Sequence, residues 1–419
     1  MTTAHQDCCA DAHDHNLTPA QARHHILDAI NPLTTLERLA LREGLDRVLG
    51  AAMVSPVNVP SHTNSAMDGY ALAATDLPSQ DHVDLVMVGT ALAGLPFSGR
   101  CEQGQCVRIM TGACLPEGTD TVVIQERVER LADGRIRIGA GGHSGQNIRQ
   151  AGEDIKTGDI VLSPGQRLTA ADIGIIASLG IGEIDVIRRP RVAFFSTGDE
   201  LRSIGQSLRD GDVYDSNRYS LYSMLKRLNV DLLDLGVVAD QPELLRKVLL
   251  DAAATCDVVI TSGGVSVGDA DYIKPLLQEM GTMSFWKIAM KPGRPLVFGH
   301  LDKAAFFGLP GNPVAVMVTF YQFVLPALLR LSGQHPQAAF TFTARSRHAI
   351  RKRAGRCEFQ RGILQSTGHG QWQVTSAGHQ GSGILTSMSR ANCFILLDET
   401  CDGIKPGDLV EVQPFAGLI

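Results

Sequence analysis

The stretch Asp257–Lys274, DVVITSGGVSVGDADYIK, joins an apolar run to a glycine loop and two acids. Val258, Val259 and Ile260 read as a buried strand, and Thr261, Ser262, Gly263, Gly264, Ser266 and Gly268 follow before Asp269 and Asp271. Glycine lets backbone N–H groups approach a ligand and adopts positive φ at little cost. A helix that starts just after such a loop offers unpaired N–H donors to an oxyanion. Neighbouring carboxylates suit a divalent cation held against a phosphate. Ser262, Gly263, Gly264 and Ser266 are therefore candidate ligand contacts, and Asp271 a candidate metal ligand. The plainer reading is an ordinary strand–turn–helix corner. A third reading is a hydrolase nucleophile elbow, because GVSVG at 264–268 fits GxSxG with Ser266 as nucleophile. That reading needs a later acid and a histidine in the same sheet, and His300 is the only histidine between the motif and residue 332.

A second cluster lies downstream. WKIAMKPGRP at 286–295 places Lys287, Lys291 and Arg294 within eight residues. If Ile288–Met290 is a strand, Lys287 and Lys291 share a face, because strand faces alternate with period two. Such a group near a phosphate loop would hold a second oxyanion; the alternative is a solvated basic edge.

The elements that must position these residues follow from periodicity. From Arg191 to about Ser332, apolar runs at 192–195, 230–238, 258–260, 285–290, 296–299 and 305–309 are interleaved with helical patterns opening at Asp215, Pro242, Asp271 and Pro313. Strands alternating with amphipathic helices predict a doubly wound parallel α/β sheet. Its ligands belong outside the carboxyl ends of the strands. The loops at 196–201, 240, 262–271 and 308–313 all follow strands. Thr197, Gly198, Pro310, Gly311 and Asn312 therefore join the candidate contacts at that edge.

The fold class read from the whole chain is α/β plus β and multidomain. Residues 1–16 are expected to be a disordered extension; His5, Cys8, Cys9, His13 and His15 in it match no closed zinc site. Thr18, Pro19 and Gln21 form a helix-opening capping box. Residues 17–55 and 151–190 are read as one discontinuous connecting domain, and 56–150 as an inserted β-rich domain. The α/β domain spans 191–333, and 334–419 is a small C-terminal β-barrel, with Arg356 and Ser382 in its turns. The segment PSHTNSAMDGYA at 60–71 reads as an exposed loop.

Length and composition narrow the function. A chain of 419 residues exceeds one ordinary core. A net charge of −6 argues against a general nucleic-acid binder. No apolar run approaches the ~18 residues needed to cross a bilayer, and the N-terminus lacks a secretory signal pattern. Nine scattered cysteines without a CxxC pair, in a chain with no signal pattern, suggest reduced thiols in the cytoplasm.

Six motifs, NSAMDGYA (64–71), RIMTGA (108–113), STGDEL (196–201), SGGVSVGDADY (262–272), WKIAMKPGRP (286–295) and GLPGNP (308–313), together resemble the MoeA family of molybdopterin molybdenumtransferases, related to the E domain of gephyrin. The resemblance runs from about residue 17 to the C-terminus. It implies an elongated homodimer with a composite active site that inserts molybdate into adenylylated molybdopterin and releases molybdenum cofactor and AMP with Mg²⁺. It implies that Glu200, Asp240 and Asp271 bind the metal and position the nucleotide. Lys287 and Lys291 then bind anion, as do Arg356 and Ser382, and Asp68 and Thr111 come from the partner subunit. Arg294 falls within the same lysine motif. A molybdopterin adenylyltransferase and molybdoenzyme maturation proteins are the implied protein partners. The competing class is a molybdopterin-binding scaffold without turnover.

Overall fold

A computed structural model describes residues 17–264, 273–335, 338–368 and 370–415, with only the backbone of Lys274 and Phe285. The 1–16 extension, Ser266, Asp269 and Asp271 lie outside the described residues. The chain divides into two units, one of residues 17–37, 46–48 and 187–415 and one of residues 38–45 and 49–186.

The smaller unit carries a six-stranded mixed sheet ordered Thr121–Ile124, Gly69–Leu72, Gln105–Ile109, His82–Ala91, Ile136–Gly139, Val128–Arg130. Strand alternation sends Tyr70, Leu72 and Val123 into one apolar cluster and Ala71 and Val122 into another, so both faces are covered. A third cluster joins Leu49 and Leu168 to Ile176 of the helix Ala170–Ser178, whose capping box is Thr169 with Asp172. The NSAMDGYA segment is less of a loop than its composition predicts. Asn64 and Ser65 are buried in a short strand, Gly69 begins another, and only 66–68 bridge them. Ser65 donates to Met67 O at 2.6 Å, so its hydroxyl is satisfied inside the turn.

In the larger unit, helix α1 (Pro19–Ala29) opens with the expected capping box. Strand β1 (Arg191–Thr197), helix α2 (Ser216–Lys226), strand β2 (Asp231–Val238), helix α3 (Pro242–Thr255) and strand β3 (Val258–Ser262) follow. Helix α4 (Ile273–Met280), strands β4 (Thr282–Lys287), β5 (Pro295–Leu301) and β6 (Ala304–Leu309), and helix α5 (Pro313–Leu331) complete the α/β domain. The sheet order is β2-β1-β3-β6-β5-β4. β2, β1, β3 and β6 are parallel, as the alternation predicts, but β5 is antiparallel to both neighbours. The cause is the tight β5–β6 turn, where Asp302 takes φ +51 and no crossover is possible. The strand expected over 285–290 is also shifted toward the N-terminus. β4 stops at Lys287, and Met290–Lys291 pairs instead with the barrel strand Cys357–Gly368.

Contrary to the reading of single runs, α5 is long and apolar enough to cross a membrane by length and composition. It is instead a core helix, with 78% of that window buried. Its middle, Phe320–Val324, is a π-helical turn. Pro326 lacks the N–H that would reach Gln322 O, so that carbonyl needs another donor. Arg23 of α1 supplies it: Nε donates to Gln322 O at 3.2 Å and Nη2 to Gln322 Oε1 at 2.8 Å. Ala22, Ile26 and Ile30 are buried in the same cluster as α5. The helix assigned from sequence to the connecting domain therefore packs in the α/β unit.

The C-terminal strands close into a five-stranded barrel, Cys357–Gly368, Gln371–Ser376, Phe342–Ser346, Leu409–Pro414, Cys393–Leu397 and back to the first. Both tryptophans, Trp286 and Trp372, lie in the larger unit, so tryptophan fluorescence in urea follows that unit alone. Arg23→Ala should lower its unfolding free energy by about 1–3 kcal/mol, the usual cost of orphaning a buried acceptor. An unchanged midpoint would show that α1 does not support the α5 bulge.

Candidate active site

Four loops leave the carboxyl edge of the parallel strands. β1 ends at Thr197 and turns at Gly198; Asp240 follows β2; Gly263 and Gly264 follow β3; Pro310, Gly311 and Asn312 follow β6. With Glu200, Lys291, Arg294, Arg356 and Ser382 they line one cleft of about 890 Å³. The glycine pair is a steric requirement. Gly263 has φ +91, and a Cβ there would sit 2.4 Å from Thr197 O. Gly264 has φ +65 and meets the Ile273 side chain at the same distance.

Two buried side chains hold the walls, and neither was singled out from sequence as more than part of an element. Asn217, in the first turn of α2, donates through Nδ2 to Ser262 Oγ at 2.9 Å and to Gly311 O at 2.7 Å. It therefore ties the end of β3 to the loop after β6. Arg361, 1% exposed, donates to Ser387 Oγ at 3.0 Å and Gly381 O at 3.2 Å. Its backbone N–H donates to Gln380 Oε1 at 2.8 Å. Burial lowers its pKa to about 10, opposed by Glu358. Arg361 thereby fixes the 380–382 turn, and Val314 N–H at the start of α5 donates to Ser382 O at 3.0 Å. Gln380 lines the cleft as well; the signal available for it was the glycine-rich GHQGSG turn at 378–383.

The cleft is electrically two-sided. Asp240, half-buried, has its pKa raised by burial; the Thr197 hydroxyl that donates to Oδ1 opposes this, and the Asp199 and Glu200 charges add to it. Across from these acids stand Lys291, Arg294 and Arg356. Lys291 Nζ lies 3.4 Å from Glu358 Oε1, and Glu358 also accepts from Gln360 at 2.7 Å.

Not every expected residue reaches this cleft. Lys287 ends β4, the outermost strand, and does not line it, so the expected shared face with Lys291 does not form. The break at Ile288–Ala289, which sends Lys291 to the barrel, is the reason. Ser262 is fully buried under the loop as the acceptor for Asn217. Asp68 and Thr111 meet each other within the smaller unit: Thr111 N and Oγ1 both donate to Asp68 Oδ1 at 2.8 Å. Those two bonds, then the Arg108 charge, hold the Asp68 carboxyl below its usual range. His300 offers no partner to a serine elbow. It pairs with Ala305, the residue after the start of β6, so antiparallel β5 carries it to the opposite edge from the glycine loop. A five-residue strand separates those edges by roughly 17 Å.

With this geometry in view, the comparisons with known proteins are decisive. Residues 17–180 match the MoeA N-terminal region (domain I and II), 193–330 a probable molybdopterin binding domain, and 343–415 the MoeA C-terminal region (domain IV). The chain belongs to the MoeA family. A molybdopterin molybdenumtransferase of Haemophilus influenzae is 43% identical over 404 residues, covering 96% of this chain and all of the relative. Gephyrin of Dictyostelium discoideum is 31% identical and covers 95% of this chain, which spans 62% of gephyrin. The crystal structure of a molybdopterin biosynthesis moeA protein from Pyrococcus horikoshii superposes with a TM-score of 0.84 at 27% identity, over 96% of this chain and all of that one. The MoeA pattern thus spans both the acidic sheet edge and the basic barrel side of the cleft.

The raised pKa of Asp240 makes a signed prediction. The native chain binds this proton more readily than the unfolded chain, so the ionised carboxylate costs stability at neutral pH. That cost disappears as pH falls through the raised native value. Asp240→Asn should therefore be at least as stable as wild type at pH 7 in thermal unfolding, with its advantage shrinking on acidification. A variant less stable at pH 7 would show that the Asp240 charge supports the fold.

Proposed function

We propose that this chain is a molybdopterin molybdenumtransferase of molybdenum cofactor biosynthesis. It takes adenylylated molybdopterin and molybdate and releases molybdenum cofactor and AMP, assisted by Mg²⁺, in the cytoplasm. The observation that carries this reading is a single cleft with Glu200 and Asp240 on the sheet edge and Lys291, Arg294 and Arg356 across from them. Molybdate is a dianion and the pterin ligand carries phosphates, so bringing them together requires cations placed in advance. The Gly263 N–H is held by Leu309 O at 3.2 Å, so the Gly264 N–H is the described donor that suits a phosphate close to the backbone. Lys291, Arg356 and Ser382 hold the oxyanion beside it. Sulfur–metal exchange belongs to the dithiolene ligand, and the chain's part is position and electrostatics.

The acid group fits Mg²⁺. Asp240 is half-buried beside two like charges, which a cation would relieve. Among the described residues no group of three or more His, Cys, Asp or Glu is placed to hold a metal. Mg²⁺ commonly takes only one or two carboxylates plus substrate phosphates, here Glu200 and Asp240, with Asp271 the third residue implied by the family pattern. When bound, it neutralises charge on the phosphoanhydride oxygens.

The measurement is AMP release from adenylylated molybdopterin with and without molybdate. Molybdate-dependent release is expected, and Glu200→Gln should lower it by about a hundredfold or more, the scale of lost charge stabilisation. A scaffold would bind the pterin and release no AMP. Unchanged turnover in Glu200→Gln and Asp240→Asn would sink the site assignment.

We further propose that the chain acts as a homodimer in which a second copy supplies Asp68 and Thr111. The hydrogen-bonded, ionised Asp68 pair is a preformed unit for that role. Chains carrying Asp68→Asn alone and Glu200→Gln alone should both be inactive. After mixing and reassembly they should recover roughly a quarter of wild-type activity, because half the random dimers keep one intact site. No recovery in verified mixed dimers would place both residues in one chain's site.

A further inference from the structure

A second cleft, of about 980 Å³, opens on the barrel between the loop 350–356 and the loop 402–405. The two loops are joined by an antiparallel ladder, Ile350 with Ile404 and Arg351 with Gly403, so their side chains stand on paired backbone. Six cationic side chains line it, Lys291, Arg351, Lys352, Arg353, Arg356 and Lys405, against the carboxylates of Glu358 and Asp402. Glu358 is already engaged by Lys291 and Gln360. Lys352 is 7% exposed, and its ammonium donates to Cys401 O at 2.8 Å and Arg353 O at 3.3 Å. Both acceptors are neutral carbonyls, and an ammonium has three donors. Among the described residues the side chains of Arg351, Arg353, Arg356 and Lys405 have no hydrogen-bond or ion-pair partner. Lys352 is buried near the charges of Asp398 and Glu399, whereas Arg351, Arg353, Arg356 and Lys405 are exposed; six cations against the two carboxylates of the lining give the cleft a positive field that draws anions. The lining holds no aromatic ring on which a pterin or adenine could stack. It suits a small, hydrated, multiply charged anion. Lys291 and Arg356 line this cleft and the candidate active-site cleft alike, so the two are contiguous.

We propose that this basic cleft is a loading site for a free tetrahedral metal oxyanion, which passes along Lys291 and Arg356 into the reaction cleft. The identity of the anion as molybdate rests on the proposed function; the presence of an oxyanion site does not. The test uses the full chain and sodium molybdate at low ionic strength, with bound metal counted after equilibrium dialysis. The triple variant Arg351→Ala/Arg353→Ala/Lys405→Ala should bind one molybdate fewer per chain than wild type. In turnover its KM for molybdate should rise at least about tenfold, the scale of a lost charge-assisted contact, with kcat unchanged. The charge-keeping variant Arg351→Lys/Arg353→Lys/Lys405→Arg should restore both, which separates charge from local folding. Equal stoichiometry and equal molybdate KM in wild type and triple variant would overturn the proposal. So would a triple variant that weakens only binding of the phosphorylated pterin, because the cleft would then serve the phosphate of that substrate. If no turnover occurred with wild type, the proposed reaction would fail while the dialysis count still decided the site.

Discussion

The barrel strand Cys393–Leu397 faces two cores at once, and the site depends on that. Cys393, Ile395 and Leu397 point into the barrel, whereas Phe394 points out into the cluster that contains α5. This is ordinary strand alternation, with a second buried face in place of solvent. Phe394 meets Phe415 edge-on at a centroid distance of 4.7 Å and approaches Tyr321 of α5 at 6.4 Å. Because the patch of Phe359, Phe394 and Phe415 on the barrel's outer face is dry, the barrel cannot rotate against the α/β domain without exposing large aromatic area. Arg356 and the 380–382 turn are thereby held opposite the carboxyl edge of the sheet. The hydrogen bond from Val314 to Ser382 fastens the same seam at its polar end.

That rigidity permits a charge arrangement the fold would not choose for stability alone. Asp240 is desolvated beside two other carboxylates, and the cations across the cleft are not drawn in to neutralise them. Lys291 is paired with Glu358 on its own side. The two walls stay apart because each is fixed from behind, the acids by β1 and β2 and the cations by barrel strands and the Arg361 network. Opposed charges held at a distance leave room for a ligand that carries both phosphate and a metal ion. Perturbed carboxylates inside a cleft are common at sites where chemistry occurs.

Much of this was legible in the sequence, for identifiable reasons. The parallel strands and their helices were visible because fully buried strands are continuous apolar runs and helices repeat near 3.6 residues. The gathering of the 197–200, 240, 263–264 and 310–312 loops followed from topology alone. What sequence could not show was long-range pairing. Nothing local says that Met290–Lys291 leaves β4 for a barrel strand more than sixty residues away, so Lys287 and Lys291 were grouped. Nothing local assigns α1 to the α/β unit, because the need it meets, the Gln322 carbonyl freed by Pro326, lies 299 residues along the chain. Asn217 and Arg361 escaped notice for the same reason: each looks like an ordinary polar residue until its distant partners are known. Asn64 and Ser65 have turn-forming composition, yet they are buried because their neighbours in space are strands.

Strand direction finally decides between two chemistries that share one motif. The glycine loop after β3 contains a GxSxG pattern, and pattern alone does not separate a nucleophile elbow from a phosphate loop. A hydrolase needs a histidine at the carboxyl edge of the same sheet. The one histidine in range, His300, is on β5, and β5 runs backwards because a two-residue turn joins it to β6. The turn therefore removes the general base from the loop's reach. Partial burial also lowers the pKa of His300, against a hydrogen bond with the Ala29 backbone that raises it, which fits a half-buried residue packed beside α1. The groups that do share the loop's edge are carboxylates on one wall and guanidinium and ammonium groups on the other. They are groups suited to anion and cation binding, and a serine nucleophile would find no histidine among the described residues lining that cleft.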